Sequence, residues 1–365
     1  MSLFKRIIII ALAASLFSCA ANQSKHTMEE VQLHSSCQTQ NNTGLEINEG
    51  RYVVIGGVKQ WVTIKGKSCS NPVVLMVHGG PGNPLSVYHD SLFREFETEF
   101  TIVHWDQRGA GRTYLAQFET ENLTLDNIVS SSLSVDLLVS DGLEVSDYIR
   151  SRLGKDKLII SGSSWGSFLA VKMVQSEPNQ FYFYIGQSQL VNGQKNYAAS
   201  YKKVKNIAKE KRDEFALRTL YKIGEPLWKH PASFGRFRRI VKRYEDQLVI
   251  HPAQWKVGSE YQMEVSEPTY IFAEEFSFLR FTGFDRDGMV QDVNLYGCCT
   301  KFEIPIYLLQ GHNDLLTLPE VTEDYYNKII APKKEYVLLE YSGHEQTKES
   351  LQLLLNKLRE GASKI

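Results

Sequence analysis

Lys157-Leu-Ile-Ile-Ser-Gly-Ser-Ser-Trp-Gly-Ser-Phe168 decides how the rest of the chain is read. Its first half, Lys157 to Ser161, is a short apolar run of strand character, and its second half opens a helical stretch near Ser167. Between them, Gly162-x-Ser164-x-Gly166 has the pattern of a sharp strand-to-helix turn that lifts a serine hydroxyl clear of a sheet. Glycines are needed there because side chains at 162 or 166 would collide with neighbouring backbone. A serine so placed sits at a helix N-terminus, where unpaired N–H groups and the helix dipole favour negative charge. The Trp165 amide is then one donor to a developing oxyanion.

Outward from this turn, the chain repeats short, continuously apolar runs. Pro72-Val-Val-Leu-Met-Val77 and Thr101-Ile-Val-His-Trp105 precede it. Phe181-Tyr-Phe-Tyr-Ile185, Ile306-Tyr-Leu-Leu309 and Tyr336-Val-Leu-Leu339 follow it. Such runs suit strands buried on both faces of a parallel sheet. Helical stretches at Leu133 to Leu153, Phe168 to Gln175 and Glu349 to Leu358 separate or close them, which predicts an α/β domain with a mostly parallel, doubly wound sheet. Tyr52 to Lys65 alternates around Gly56-Gly57 and reads as a β-hairpin at the sheet's antiparallel edge. Between Gln187 and about Cys298 the alternation stops, and polar helical segments interrupted by Pro226, Pro231, Pro252 and Pro268 predict an inserted helical cap. The expected division is a core over 46–186, the cap over 187–298 and the rest of the core over 299–365. Two basic runs in the cap, Lys202 to Arg212 and Arg236 to Arg243, read as solvated helix faces.

A serine hydroxyl needs a base, and an imidazole with a pKa near 6.5 suits neutral pH. Of nine histidines, His344 follows the last strand in Ser342-Gly343-His344 and is the candidate base, with His312 its competitor. Asp314, in the loop after Ile306 to Leu309, can accept from the other ring nitrogen and fix the tautomer. The chain order Ser164, Asp314, His344 differs from that of chymotrypsin-like and subtilisin-like enzymes. His78-Gly-Gly-Pro-Gly82 directly follows an earlier strand, so its amides, Gly80 in particular, are candidate oxyanion donors beside that of Trp165. The structural readings of these residues are a tight turn, a loop aspartate and a packed histidine.

Composition bounds the rest. In 365 residues, 42% hydrophobic and 23% charged, there is enough apolar sequence for one sizeable core, and coiled coil and disorder are disfavoured. With 41 basic against 42 acidic residues, nothing global draws the protein to nucleic acid. At the N-terminus, Lys5-Arg6 precedes the apolar run Ile7 to Phe17, which has the length of a signal peptide and is too short to span a bilayer. Leu16-Phe-Ser-Cys19 resembles the lipobox of bacterial lipoproteins and makes Cys19 a candidate for lipidation, with plain cleavage near Ala20 or Ala21 the alternative. Residues 1–18 are thus read as signal and 19–45 as a polar tether, and the protein is expected to be exported, periplasmic or envelope-bound. Beyond Cys19 there are four cysteines, Cys37, Cys69, Cys298 and Cys299, which allow three pairings or none. The adjacent pair would need a strained vicinal ring or outside partners. No cysteine spacing resembles a zinc site.

Three motifs together resemble the proline iminopeptidase family of α/β-hydrolases: His-Gly-Gly-Pro-Gly at 78–82, Asp-Gln-Arg-Gly-Ala-Gly-Arg-Thr at 106–113, and Gly-Ser-Ser-Trp-Gly at 162–166. The resemblance runs from about Leu45 to the C-terminus and is weakest in the cap. It implies an α/β-hydrolase fold and an aminopeptidase that uses no metal or cofactor and removes an N-terminal residue, often proline, from short peptides. Acidic side chains, partly from the cap, would bind the substrate's free amine. Glu274 and Glu275 are the candidates, with Glu264 behind them, and solvated or salt-bridged glutamates are the alternative. Asp106, Arg108 and Arg112 read as a structural loop cluster rather than substrate ligands. An esterase or amidase with the same triad is the nearest alternative, and a non-catalytic ligand-binding lipoprotein a further one.

Overall fold

The computed structural model describes residues 45–117, 128 and 131–365. The signal segment, Cys19, Cys37 and all but the last residue of the tether lie outside these described residues.

Eight strands form one sheet in the order β1-β2-β4-β3-β5-β6-β7-β8. They are β1 (Ile47–Ile55), β2 (Val58–Gly66), β3 (Val73–Val77), β4 (Thr101–Trp105), β5 (Leu158–Ser163), β6 (Phe181–Gln187), β7 (Ile306–Gly311) and β8 (Lys334–Leu339). β1 pairs antiparallel with β2, and β2 antiparallel with β4. Every other pairing is parallel. The β1–β2 hairpin turns at Gly56-Gly57, both at positive φ, 55° and 77°, as a tight two-residue hairpin turn demands.

The continuously apolar runs become central strands because each has two buried faces. In β3, Val73, Leu75 and Val77 join one core with Trp105, Leu169 and Met173, while Val74 and Met76 join another with Phe93, Leu354 and Leu358. Alternate Cβ atoms point to opposite faces of a strand, so an unbroken apolar run serves both cores at once. The first core is covered by α1 (Val135–Leu153) and α2 (Trp165–Ser176), the second by α8 (Lys348–Ala362). Helix α1 starts where the Ser134 hydroxyl accepts from the Leu137 amide and stops at left-handed Gly154.

Between β6 and β7 the described chain forms no strand. It forms α3 (Gly193–Glu210), α4 (Glu214–Ile223), α5 (Pro231–Glu245) and α6 (Pro268–Thr282), followed after β7 by α7 (Pro319–Lys328). Both α5 and α6 begin on prolines, whose missing N–H costs nothing in a first helical turn. An aromatic cluster of Tyr197, Tyr201, Trp228, Phe234 and Phe237 packs α3 against α5. Arg112 pins the segment to the core: its guanidinium lies 4.5 Å from the Trp61 ring centre and 4.2 Å from that of Tyr261. It also donates two hydrogen bonds, of 2.8 and 2.6 Å, to Glu264. Cys69 is disulfide-bonded, and Cys298 is bonded to Cys299 as a vicinal disulfide.

Candidate active site

Ser164 stands between β5 and α2 at φ 51° and ψ −121°, a backbone conformation that non-glycine residues rarely hold. The neighbouring glycines make it possible. A Cβ at Gly162 would lie 2.4 Å from the Gly166 carbonyl oxygen, and one at Gly166 would lie 2.1 Å from that of Val77. Either contact would force β5, α2 and β3 apart.

From the end of β7 comes Asp314, fully buried, and from the loop after β8 comes His344. The imidazole Nε2 lies 2.9 Å from Ser164 Oγ, and Nδ1 lies 3.1 and 3.0 Å from the two Asp314 oxygens. Burial raises the Asp314 carboxyl, but the facing imidazole and the donors on its oxygens outweigh this and hold it below its ordinary value. Those donors are the Thr317 hydroxyl at 2.6 Å, the Thr317 and Leu316 amides at 2.7 and 2.9 Å, and Gln310 Nε2 at 2.9 Å. For His344, burial works against the imidazolium, yet Asp314 overcomes it with help from Glu245, and the pKa rises above the ordinary value. The imidazole is thereby kept both oriented and basic. His312, the competing histidine, is exposed and donates its amide to Leu339 instead.

Gly79, Gly80 and Trp165 line the same cavity as Ser164 and His344. Among the described residues the Gly80 and Trp165 amides have no acceptor. The two segments that carry them are tied together by Gln107, a residue of the 106–113 motif to which sequence reasoning assigned no role. Its Nε2 donates to the His78 carbonyl at 2.8 Å, its amide donates to His78 Nε2 at 3.1 Å, and its Oε1 accepts from the Trp165 indole at 3.2 Å. His78 is buried, which pushes its pKa down to about 4, so it stays neutral and serves as an acceptor here. Trp165 is itself buried and packs edge-on against Phe281, 5.2 Å between centres.

The cavity has a volume of about 430 Å³ and is walled by β-strand loops on one side and by α5 and α6 on the other. Glu274 and Glu275, the two cap glutamates singled out from the sequence, both line it, and Gly82 lies against the Glu274 backbone. Burial pushes the Glu274 carboxyl up, and Glu275 adds to the rise while Arg238 opposes it. Glu264 is instead held by Arg112, away from the cavity lining. Asp106 is buried against the Ser86 hydroxyl at 2.6 Å, and Arg108 pairs with Asp141 at 2.8 Å, so these act as braces.

Glu245, at the end of α5, was not distinguishable in the sequence from any other helical glutamate. It is buried, lines the cavity and accepts from the Leu315 amide at 2.5 Å. Burial, then the nearby Asp314 charge, push its pKa up to about 8. No group of His, Cys, Asp and Glu among the described residues could hold a metal ion.

A family model described as alpha/beta hydrolase fold matches residues 72–350, and the chain belongs to that family. It is 29% identical over 307 residues to the probable aminopeptidase YbaC of Bacillus subtilis, covering 83% of this chain and 93% of that one. A proline iminopeptidase of Xylella fastidiosa is 35% identical over 118 residues, 31% of this chain and 32% of its own. Among solved structures, the proline iminopeptidase of Mycobacterium smegmatis superposes with a TM-score of 0.60 at 17% identity, covering 86% of this chain and 98% of that one, which is a likeness of fold. The resemblance to proline iminopeptidases expected from the motifs is thus present in sequence over about a third of the chain, and over most of it as a likeness of fold.

Proposed function

We propose that this member of the alpha/beta hydrolase fold family is a serine aminopeptidase that releases an N-terminal residue, proline or another small apolar one, from short peptides. The observation that carries the reading is the unbroken Ser164–His344–Asp314 hydrogen-bond chain opening into a cavity that also presents Glu245, Glu274 and Glu275. The 29% identity to a probable aminopeptidase over most of the chain supports the same direction.

In this mechanism His344 Nε2 takes the proton of Ser164 Oγ as the oxygen attacks the scissile carbonyl. The resulting oxyanion is held by the Gly80 and Trp165 amides, which need no reorganisation to receive it. His344 then gives the proton to the leaving amine, and the acyl-enzyme remains on Ser164. A water, deprotonated by the same imidazole, releases the amino acid. The substrate's ammonium lies among the cavity glutamates, where an unpaired buried cation would otherwise be costly. Burial and the Asp314 charge push the Glu245 carboxyl up, and a cation arriving beside it favours its ionised form.

We further propose that the protein is exported and anchored through a lipid on Cys19. The Lys5-Arg6 and Ile7 to Phe17 pattern supports this, as do the disulfides at Cys69 and Cys298–Cys299, which suit an oxidising compartment.

The test uses soluble protein beginning after Cys19, assayed on aminoacyl arylamides with and without an N-terminal block, beside a p-nitrophenyl ester and a Ser164→Ala control. Hydrolysis confined to free-amine substrates and lost in the variant is expected. Cleavage of esters and blocked substrates alone would make the protein an esterase or amidase, and activity surviving in Ser164→Ala would remove the nucleophile. Failure on every substrate, with a ligand bound, would favour the binding lipoprotein.

A further inference from the structure

The basic run Arg236 to Arg243, which the sequence offers as a solvated face, lies on α5, and part of it faces the cavity. Phe234, Arg238, Val241 and Glu245 recur every three or four residues, so one stripe of the helix runs along the cavity wall. Arg239 and Lys242 flank that stripe and also line the cavity. Lys242 is compensated, 3.1 Å from Asp246 and 3.4 Å from Glu345. Arg238 and Arg239 differ: among the described residues neither guanidinium has a hydrogen-bond or ion-pair partner. Several other arginines are paired, as Arg108, Arg112, Arg243 and Arg359 are. Glu274 and Glu275 of α6 line the same cavity. The cavity lining thus holds carboxylates at Glu245, Glu274, Glu275 and Glu345 together with two guanidiniums that have no partner among the described residues.

We propose that Arg238 and Arg239 bind the C-terminal carboxylate of the peptide substrate, so that the preferred substrates are zwitterionic di- and tripeptides. This inference rests on the aminopeptidase reading above. A guanidinium pair is suited to it because each presents a planar fork of donors that matches a carboxylate. The helix supplies the spacing. Glu245 and Arg238 are seven residues apart, about 10.5 Å along a helix axis, and a fully extended tripeptide reaches about 10–11 Å. A dipeptide is bridged by the reach of the arginine side chains. Electrostatics place Arg238 close to the chemistry, since it counts among the charges that hold down the Glu274 carboxyl and the His344 imidazolium.

The test compares kcat/KM for Pro-Ala with that for Pro-Ala amide in the native enzyme, in Arg238→Gln/Arg239→Gln and in Arg238→Lys/Arg239→Lys, with a prolyl arylamide assayed in parallel. The ratio of free acid to amide cancels any change that losing Arg238 makes to His344. For two solvent-accessible charge contacts the native ratio is expected to be about tenfold. It should decline with added salt, fall towards one in the glutamine variant and survive in part in the lysine variant. A native ratio near one, or a ratio that persists in the glutamine variant, overturns the carboxylate site. Arylamide cleavage with a native ratio near one defeats this inference alone. If no free-amine substrate is cleaved at all, the aminopeptidase reading fails and this inference falls with it.

Discussion

Replacing Gln107 with Leu tests whether the loop proposed to hold the oxyanion is kept in place by one buried side chain. Two side-chain bonds disappear, Nε2 to the His78 carbonyl at 2.8 Å and the Trp165 indole to Oε1 at 3.2 Å. Both groups left behind are buried, and leucine offers neither a donor nor an acceptor. A buried polar group without a partner costs about 1–3 kcal/mol, so the pair should cost about 2–4 kcal/mol once leucine's own packing is counted. At about 2 °C per kcal/mol for a chain of this size, Tm should fall by roughly 4–8 °C. The functional consequence is separate from the stability. Gln107 touches no reacting atom, but it ties the segment that ends in the Gly80 amide to the residue that supplies the Trp165 amide. Removing a single oxyanion donor costs about 100- to 1000-fold in kcat, and loosening two without deleting them should cost about 10- to 100-fold. The loss should appear in kcat and leave KM within about threefold, because the oxyanion forms only in the transition state. Steady-state kinetics on whichever arylamide or ester the native enzyme turns over, run well below the variant's Tm, measures it. A variant that loses the expected stability yet keeps kcat within twofold would refute the argument, as would a loss confined to KM.

Three further outcomes follow from the same geometry. The acid limb of kcat/KM should lie above the ordinary imidazole value near 6.5, because Asp314 raises the His344 pKa against burial and only the neutral ring can take the serine proton. In Asp314→Asn that limb should move to lower pH while the plateau falls by about 1000-fold or more, and a limb that stays put would show that another group sets it. Gly166→Ala should prevent folding or leave an inactive protein, since its Cβ would sit 2.1 Å from the Val77 carbonyl oxygen, and a soluble variant with native activity would contradict this. Arg112→Met should destabilise the native state by about 2–3 kcal/mol by leaving Glu264 unpaired. It should also speed proteolysis selectively around Ser259 to Ser266, and unchanged cleavage there would mean the cap is held by other contacts.

Local pattern determined a large part of this protein. The unbroken apolar runs had to be two-faced strands, because only burial on both sides of a sheet removes the need for alternation. Gly162, Ser164 and Gly166 specified their turn, because a backbone approach as close as that of Val77 to Gly166 admits no side chain. Order along the chain brought Asp314 and His344 forward as loop residues after consecutive parallel strands, and the fold sets those strand ends side by side. What the sequence could not determine is which remote side chains meet. Glu245, Arg238 and Arg239 lie on a helix whose spacing marks one face but not what that face looks at. Gln107 was visible within a motif, yet its partners, His78 and Trp165, lie 29 and 58 residues away. Thr317 and Gln310 donate to Asp314 only once β7 and its loop are folded around it. Periodicity and turn chemistry act over a few residues, whereas charge, burial and hydrogen-bond partners across a cavity exist only after the chain has closed on itself.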